Sequence, residues 1–335
     1  MNNLPEIQPP YLMFLGDVHD QLAAKTATGV VHWRKPDCLG QLRFPDCKAD
    51  LGLPDMTITQ ARGQGVRTLV LGAVNPGGVL PDHWVAAILE ALEAGMDIAS
   101  GLHMRLTAQP AIAEAAARLG RNLFDVRHPT MALPTGKGTK RPGKRLLTVG
   151  TDCSVGKMYT SLAIAAEMKA RGWDADFRAT GQTGIFIAGS GISVDAVVAD
   201  FISGAAEVLS PANAPDHWDI MEGQGSLYHP SFAGVTMGLI HGSQPDALVM
   251  CHEPTRTTMR NVSHPLPDIE ECIRGHVQAA TLTSPDVRCI GISVNTSALD
   301  AAAAAKCLQA LSDRTGLPAV DPVRNGVAPL VDALA

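Results

Sequence analysis

The sequence predicts two α/β domains, a Rossmann-like parallel sheet followed by a doubly wound parallel sheet built around a phosphate loop. Three observations predict it. Short apolar runs alternate with helix-spaced segments along the chain, the pattern of repeated βαβ units. The stretch Leu133–Lys144, rich in Pro, Gly and Lys, interrupts that pattern without an apolar period. Just beyond it, the apolar run Leu146–Val149 enters Gly150-Thr-Asp-Cys-Ser-Val-Gly156-Lys157, and an alanine-rich helical segment follows. The expected division is therefore residues 1–135, a linker at 136–143, and residues 144–335.

In order, Tyr11–Leu15 is a first strand that ends at a Gly16-Asp17 turn. Lys25–Gly29 followed by Val30–Trp33 fits either a helix end or a ligand loop. Pro36–Pro54, dense in Pro, Gly, Asp and Cys, is expected to be irregular. Thr57–Gly63 is helical, and Thr68–Leu71 is a buried strand followed by a loop at Asn75–Gly78. Trp84–Ala94 and Ala111–Leu119 have helical spacing, with a strand at Asp97–Ser100 between them. No GxGxxG occurs, so a dinucleotide is not indicated for this half. Past the phosphate loop, strands are expected at Ala175–Arg178, Trp218–Met221, Ala247–His252, Val287–Val294 and Ala319–Pro322. Ala179–Gly184 forms a glycine- and hydroxyl-rich turn, and Ala298–Ser312 a helix.

The loop itself carries chemistry. Gly150 and Gly156 allow successive N–H groups to turn inward, the following helix adds its partial positive charge, and Lys157 adds a full one. Two features depart from the common phosphate loop. Five residues instead of four separate the glycines, and Met158 stands where a Ser or Thr ordinarily ligates magnesium. A thioether is a poor ligand for so hard a cation. Thr160, further into the helix, is not placed to replace it. The loop suits a phosphate or diphosphate better than Mg-ATP hydrolysis.

Composition narrows the partners. A net charge of −6 with 4% aromatic residues leaves neither the basic stripe nor the stacking platforms of a nucleic-acid surface. No apolar segment approaches the ~18 residues of a membrane span. The start, MNNLPEIQPP, lacks the features of a signal peptide. Seven cysteines without a CxxC fit reduced thiols in a cytoplasm. The expected partner is a small-molecule substrate, with self-association into a homo-oligomer.

Three stretches together carry a resemblance: Lys25-Thr-Ala-Thr-Gly29, Thr151-Asp-Cys-Ser-Val-Gly-Lys-Met158 running to Thr160, and the strand end Glu222-Gly-Gln-Gly225. The last two resemble dethiobiotin synthetase and its relatives. All three are closer still to a two-domain family with a Rossmann-like N-terminal half and a P-loop NTPase-like C-terminal half. The resemblance covers essentially the whole chain. One branch of that family is D-glutamate N-acetyltransferase, so the resemblance implies acetyl-CoA as cosubstrate, no required metal, and a place in D-amino-acid catabolism. The rival reading is an ATP-dependent ligase or kinase resembling dethiobiotin synthetase, against which Met158 counts.

On the acetyltransferase reading, Gly150, Asp152, Cys153, Ser154, Val155, Gly156 and Lys157 form the cofactor site, with Lys157 the phosphate partner. Asp152 repels a phosphate, and a role toward substrate or in the turn is open. Acyl transfer needs a base for the ammonium. Glu222 at its strand tip comes first, His229 in Tyr228-His-Pro230 second and His252 third, while a structural carboxylate bonded to the loop is the alternative for Glu222. Arg178, Arg256 and Arg260 are candidate forks for the substrate carboxylates, the last two on one face if their segment is helical. Asn295 is a candidate oxyanion donor. Cys153, acidified by loop N–H groups, would permit an acetyl-cysteine route, but no base can be assigned to it from the sequence, and direct transfer is favoured.

Overall fold

A computed structural model describes residues 6–73, 80–129 and 131–334. The loop expected at Asn75–Gly78 lies outside these. In the first part run β1 (Tyr11–Gly16), α1 (Lys25–Arg34), β2 (Cys38–Arg43), α2 (Ile58–Gly63), β3 (Thr68–Leu71), α3 (Asp82–Glu93), β4 (Asp97–Ser100), α4 (Pro110–Leu119) and β5 (Leu123–Asp125). There follow β6 (Lys144–Gly150), α5 (Lys157–Ala170), β7 (Ala175–Arg178), α6 (Gln182–Ala188), α7 (Ile202–Leu209), β8 (Trp218–Met221), α8 (Ala233–Ser243) and β9 (Ala247–His252). The chain continues through α9 (Ile269–Ala280), β10 (Arg288–Val294), α10 (Ala301–Thr315), β11 (Ala319–Val320) and α11 (Ala328–Asp332).

The chain packs as two compact units. One comprises Met1–Thr130 with Gly181–Ala196, the other Met131–Thr180 with Val197–Ala335. The first unit holds a five-stranded sheet in the order β2-β1-β3-β4-β5, every pairing parallel. Its strands β1 and β3 are buried along their whole length, as expected of a parallel sheet covered on both faces. All six residues of β1 are buried, and the Phe14 ring meets Trp84 of α3 edge to face at 5.0 Å. Thr57 caps α2 reciprocally with Gln60, which explains why that short helix starts where it does. The segment that could have been a helix or a ligand loop is helix α1. It packs against α6, and the Ile7 N–H donates to Gly189 O at 2.8 Å just past the end of α6.

The expectation of an irregular Pro36–Pro54 is corrected: β2 lies within it and pairs with β1. Its residues, CLGQLR, contain a glycine and two polar side chains, so the apolar signal is weak at a sheet edge. What makes it a strand is its partner. Helix α6 likewise begins within the expected turn Ala179–Gly184.

The second unit holds a six-stranded parallel sheet, β11-β10-β9-β6-β8-β7. Leu146, Ile220, Val249 and Ile290 from four of its strands meet Ile164 and Met168 of α5 and Leu330 of α11 in one apolar core. Strand β6 lies inside the sheet, so the loop that follows it emerges over the carboxyl ends of its neighbours, where open α/β sheets hold ligands. Among the described residues, no helix is long and apolar enough to cross a membrane.

His276 of α9 is fully buried. Its Nδ1–H donates to Cys272 O at 2.7 Å, and Nε2 has no partner among the described residues. Burial pushes its pKa down to about 4. Between the ordinary histidine value near 6.5 and about 4, the unfolded chain takes up a proton that the folded chain refuses. Stability therefore falls as pH drops through that window, by about 3 kcal/mol from this one group. Urea unfolding of the wild type and of His276→Leu at pH 7 and pH 4.5 should show the acid loss shrinking in the variant.

Candidate functional site at the phosphate loop

The loop leaves β6 at Gly150 and enters α5 at Lys157. The Thr151 N–H donates to Cys251 O at 3.0 Å, which ties its base to β9. Its curl needs positive φ at Ser154 (54°) and Gly156 (102°). The N–H groups of Ser154, Val155 and Gly156 find no acceptor among the described residues, and they adjoin the N-terminus of α5. That is a nest of unpaired donors at a positive helix end, the physical definition of an anion site.

Lys157 is buried, and its Nζ donates to Asp152 O at 2.8 Å across the loop. Burial lowers its pKa, while neighbouring thiols and the Asp152 and Glu222 carboxylates pull the other way. Met158 is half-buried. Thr160 does not stand in for it: its Oγ1 lies 2.7 Å from Ser293 Oγ and donates to Gly156 O at 3.0 Å.

Asp152 is fully buried and held on both oxygens. Oδ1 accepts from Cys153 N at 2.6 Å, and Oδ2 from Arg256 Nη1 and Arg260 N, both at 2.8 Å. Arg256 also donates to Cys153 O (2.6 Å) and Ser154 O (2.9 Å) and pairs with Glu253 at 3.1 Å. The Asp152 charge is thus neutralised at short range, and the pair clamps the loop to the segment after β9. That segment is not helical. It carries an antiparallel bridge between Thr258 and Pro265, so Arg256 and Arg260 do not share a helix face. Arg260 is exposed, and its guanidinium makes no hydrogen bond or ion pair among the described residues.

Glu222 follows β8 and is buried. Its carboxylate accepts from Thr180 N at 3.0 Å and Gln224 Nε2 at 3.2 Å, while Thr180 Oγ1 donates to Glu222 O at 2.7 Å. His229 is buried, donating from Nε2 to Arg260 O at 2.9 Å and accepting at Nδ1 from Ser231 N at 3.2 Å. Asp152, Cys153 and His229 bring a carboxylate oxygen, Sγ and a ring nitrogen within 4.8 Å of one another. The carboxylate already faces a guanidinium and two N–H groups, so this is a packed polar cluster and a poor cation site. Burial pushes the Cys153 thiol up, against the opposing charge of Lys157, and this outweighs the acidification expected of loop N–H groups.

The other candidates lie beside the loop or at the edge of the sheet. Arg178, on edge strand β7, donates through Nε to Asp219 at 2.6 Å. His252 shares a hydrogen bond of 3.1 Å with Thr151 Oγ1, and burial lowers its pKa. Asn295 follows β10, on the opposite side of β6 from Glu222. Sequence reasoning missed the hydroxyls beneath the loop. Thr148 Oγ1 lies 2.9 Å from Ser161 Oγ and accepts from Gly223 N at 3.0 Å, joining β6, α5 and the end of β8. A threonine inside an apolar strand was the available signal.

Two family models cover most of the chain. The one described as domain of unknown function DUF1611_C, P-loop domain, matches residues 133–331, and DUF1611_N, Rossmann-like domain, matches residues 43–129. The chain belongs to the DUF1611 family. The crystal structure of a DUF1611 family protein from Anabaena variabilis ATCC 29413 superposes with a TM-score of 0.86 at 32% identity, covering 98% of this chain and 99% of that one. Two further relatives bear the name D-glutamate N-acetyltransferase. The one from a Pseudoalteromonas species is 53% identical over 327 residues, 97% of this chain and 98% of its own length. The one from Tritonibacter scottomollicae is 52% identical over 330 residues, 98% of this chain and 99% of its own. The phosphate nest, the Asp152–Arg256 clamp and the buried Lys157 all lie within the DUF1611 P-loop match.

Proposed function

We propose that this chain is a D-glutamate N-acetyltransferase that moves an acetyl group from acetyl-CoA to the substrate amine. The observation that carries the reading is identity of 52–53% over nearly the full length of two relatives with that name. The loop chemistry supports it. Coenzyme A presents a diphosphate and a 3′-phosphate, from which no phosphoryl group leaves, so unpaired N–H groups, Lys157 and the α5 terminus suffice to hold them. Arg260, whose guanidinium makes no hydrogen bond or ion pair among the described residues, supplies a further anion contact.

Reach then favours one mechanism. An extended pantetheine arm carries the thioester about 15 Å from the diphosphate, by backbone-like bond lengths. With the phosphates on the loop, an extended arm carries the acetyl group away from Cys153, which supports direct transfer over an acetyl-cysteine route. The amine attacks the thioester directly, and Glu222 and His229 shape the loop. The base that takes the ammonium proton lies an arm's length away.

Acetyl transfer is expected to survive excess EDTA, with ATP acting at most as a competitor for the phosphate nest. Measuring CoA release from acetyl-CoA with D- and L-glutamate, with and without EDTA, tests this directly. ADP formed in step with product would overturn the acetyltransferase reading in favour of a ligase.

A further inference from the structure

Asp17 and His83 meet in the first compact unit. Asp17 Oδ2 lies 3.0 Å from His83 Nε2, and Asp17 Oδ1 accepts from Trp84 Nε1 at 2.7 Å. We infer that an amino-acid substrate sits at the carboxyl ends of β1 and β3, where His83 takes a proton from its ammonium and Lys25 meets a carboxylate. The identity of that substrate rests on the acetyltransferase reading.

The order of the sheet brings these residues to one end. Strand β1 leads to β2 on one side and pairs with β3 on the other, so the strand order reverses between β1 and β3. Right-handed crossovers from these two strands send α1 and α3 to opposite faces and open a cleft at the carboxyl ends. Asp17 follows β1, His83 is the second residue of α3, and Lys25 is the first of α1. Helix α1 is seated on the end of β3. Ala27 N donates to Gly72 O at 3.2 Å, and a Cβ at Gly72 would lie 2.4 Å from that of Ala27.

The imidazole is held in one state. Trp84 is buried, so its indole N–H ties Asp17 to the core. Against the opposing pull of burial, the Trp84 and His83 hydrogen bonds keep the Asp17 carboxyl below its usual range. An ionised Asp17 takes the Nε2 proton of His83, which leaves Nδ1 as the lone-pair nitrogen. The Phe44 ring packs against the imidazole with centroids 5.3 Å apart, and Nδ1 has no hydrogen bond among the described residues. The side chain is 52% exposed, open to a ligand. Lys25 is exposed too, without a hydrogen bond or ion pair among the described residues. A lysine opening a helix that has no acidic residue in its first turn costs stability, because it meets the positive helix end. An anionic ligand removes that cost.

The substrate ammonium gives one proton to Nδ1, and Asp17 stabilises the imidazolium that forms. The freed amine bonds to the acetyl carbonyl carbon as the C–S bond breaks. Its second proton goes to the departing thiolate, and the imidazolium returns the first to water.

The test is steady-state kinetics of full-length variants, with D-glutamate and acetyl-CoA varied separately. His83→Ala should lower kcat/KM for D-glutamate about a hundredfold, leave KM for acetyl-CoA unchanged, and recover with added imidazole. Asp17 is the positioning residue. Asp17→Asn keeps an acceptor for Trp84 but turns an amide N–H toward His83, which moves the ring proton to Nδ1, so kcat should fall with both KM values unchanged. Lys25→Ala should raise KM for D-glutamate about tenfold, the loss of one charged contact. Activity of His83→Ala within twofold of wild type would overturn the inference, as would a loss that imidazole does not restore. The two readings fail separately. Acetyl transfer indifferent to His83→Ala and Lys25→Ala keeps the acetyltransferase and removes this site. D-glutamate binding by calorimetry that weakens in Lys25→Ala, in a protein that transfers no acetyl group, does the reverse.

Discussion

Lys157→Met should lower affinity for acetyl-CoA by about a hundredfold or more while moving the unfolding midpoint little. The ammonium sits within the nest where the phosphates are proposed to bind, and removing one partner of a desolvated charge pair costs about 2–5 kcal/mol, or tenfold per ~1.4 kcal/mol. Methionine keeps most of the stem, so the packing against Gly223 is retained. Folding also regains something, because burial disfavours the charged form, as the lowered pKa of Lys157 records. The sign follows. Near the ordinary lysine value of 10.5 the unfolded chain binds a proton more tightly than the folded one, so wild-type stability gains from this group as pH rises toward that value. That gain should be missing in the variant. Titration calorimetry with acetyl-CoA, paired with urea unfolding at pH 7 and pH 9.5, checks both halves. Wild-type affinity in Lys157→Met would move the cosubstrate phosphates off the loop.

The largest loss of stability is expected from Gly223→Ala, at about 3–5 kcal/mol. A Cβ at Gly223 would lie 1.7 Å from Thr148 O and 3.1 Å from Lys157 Cδ. Neither the strand carbonyl nor the buried lysine stem has room to retreat, so the end of β8 must pull away from β6. Glu222 precedes Gly223, and the carboxylate opposite Lys157 would be displaced with it. Gly234→Ala in α8 is the control, since a Cβ there meets nothing within 4 Å and alanine favours a helix. Urea denaturation of both variants separates the steric effect from the general loss of a glycine.

Much of this was legible because it is local. Strands β3, β6, β8 and β9 are mostly apolar and buried almost throughout, and such runs announce themselves without partners. The phosphate loop is contiguous, so glycine spacing, lysine and flanking elements can be checked in one stretch. The clamp is different in kind. Asp152 and Arg256 are 104 residues apart, and nothing in either neighbourhood says that one neutralises the other. Sequence left Asp152 unexplained beside a phosphate and offered Arg256 as a substrate fork, and one ion pair gives both a structural duty. Asn295 was rightly seen at a strand tip. The cavity it lines needs Val155 and Pro322 as well, and only the order of strands in the sheet brings those three together. Strand β2 was missed because an edge strand is defined by the neighbour it bonds to.

Residues Gly181–Ala196 belong to the first compact unit although they are encoded after the second has begun. For a chain made from its N-terminus, the first unit is therefore incomplete when Thr130 leaves the ribosome, and helix α1 lacks its covering helix α6 until residue 188 has been made. By then β6, the phosphate loop, α5 and β7 are already out, with the rest of their own sheet still to come. Each unit waits on sequence that lies beyond part of the other, and folding becomes a joint event. A gene cut after residue 130 would divide a domain instead of separating two.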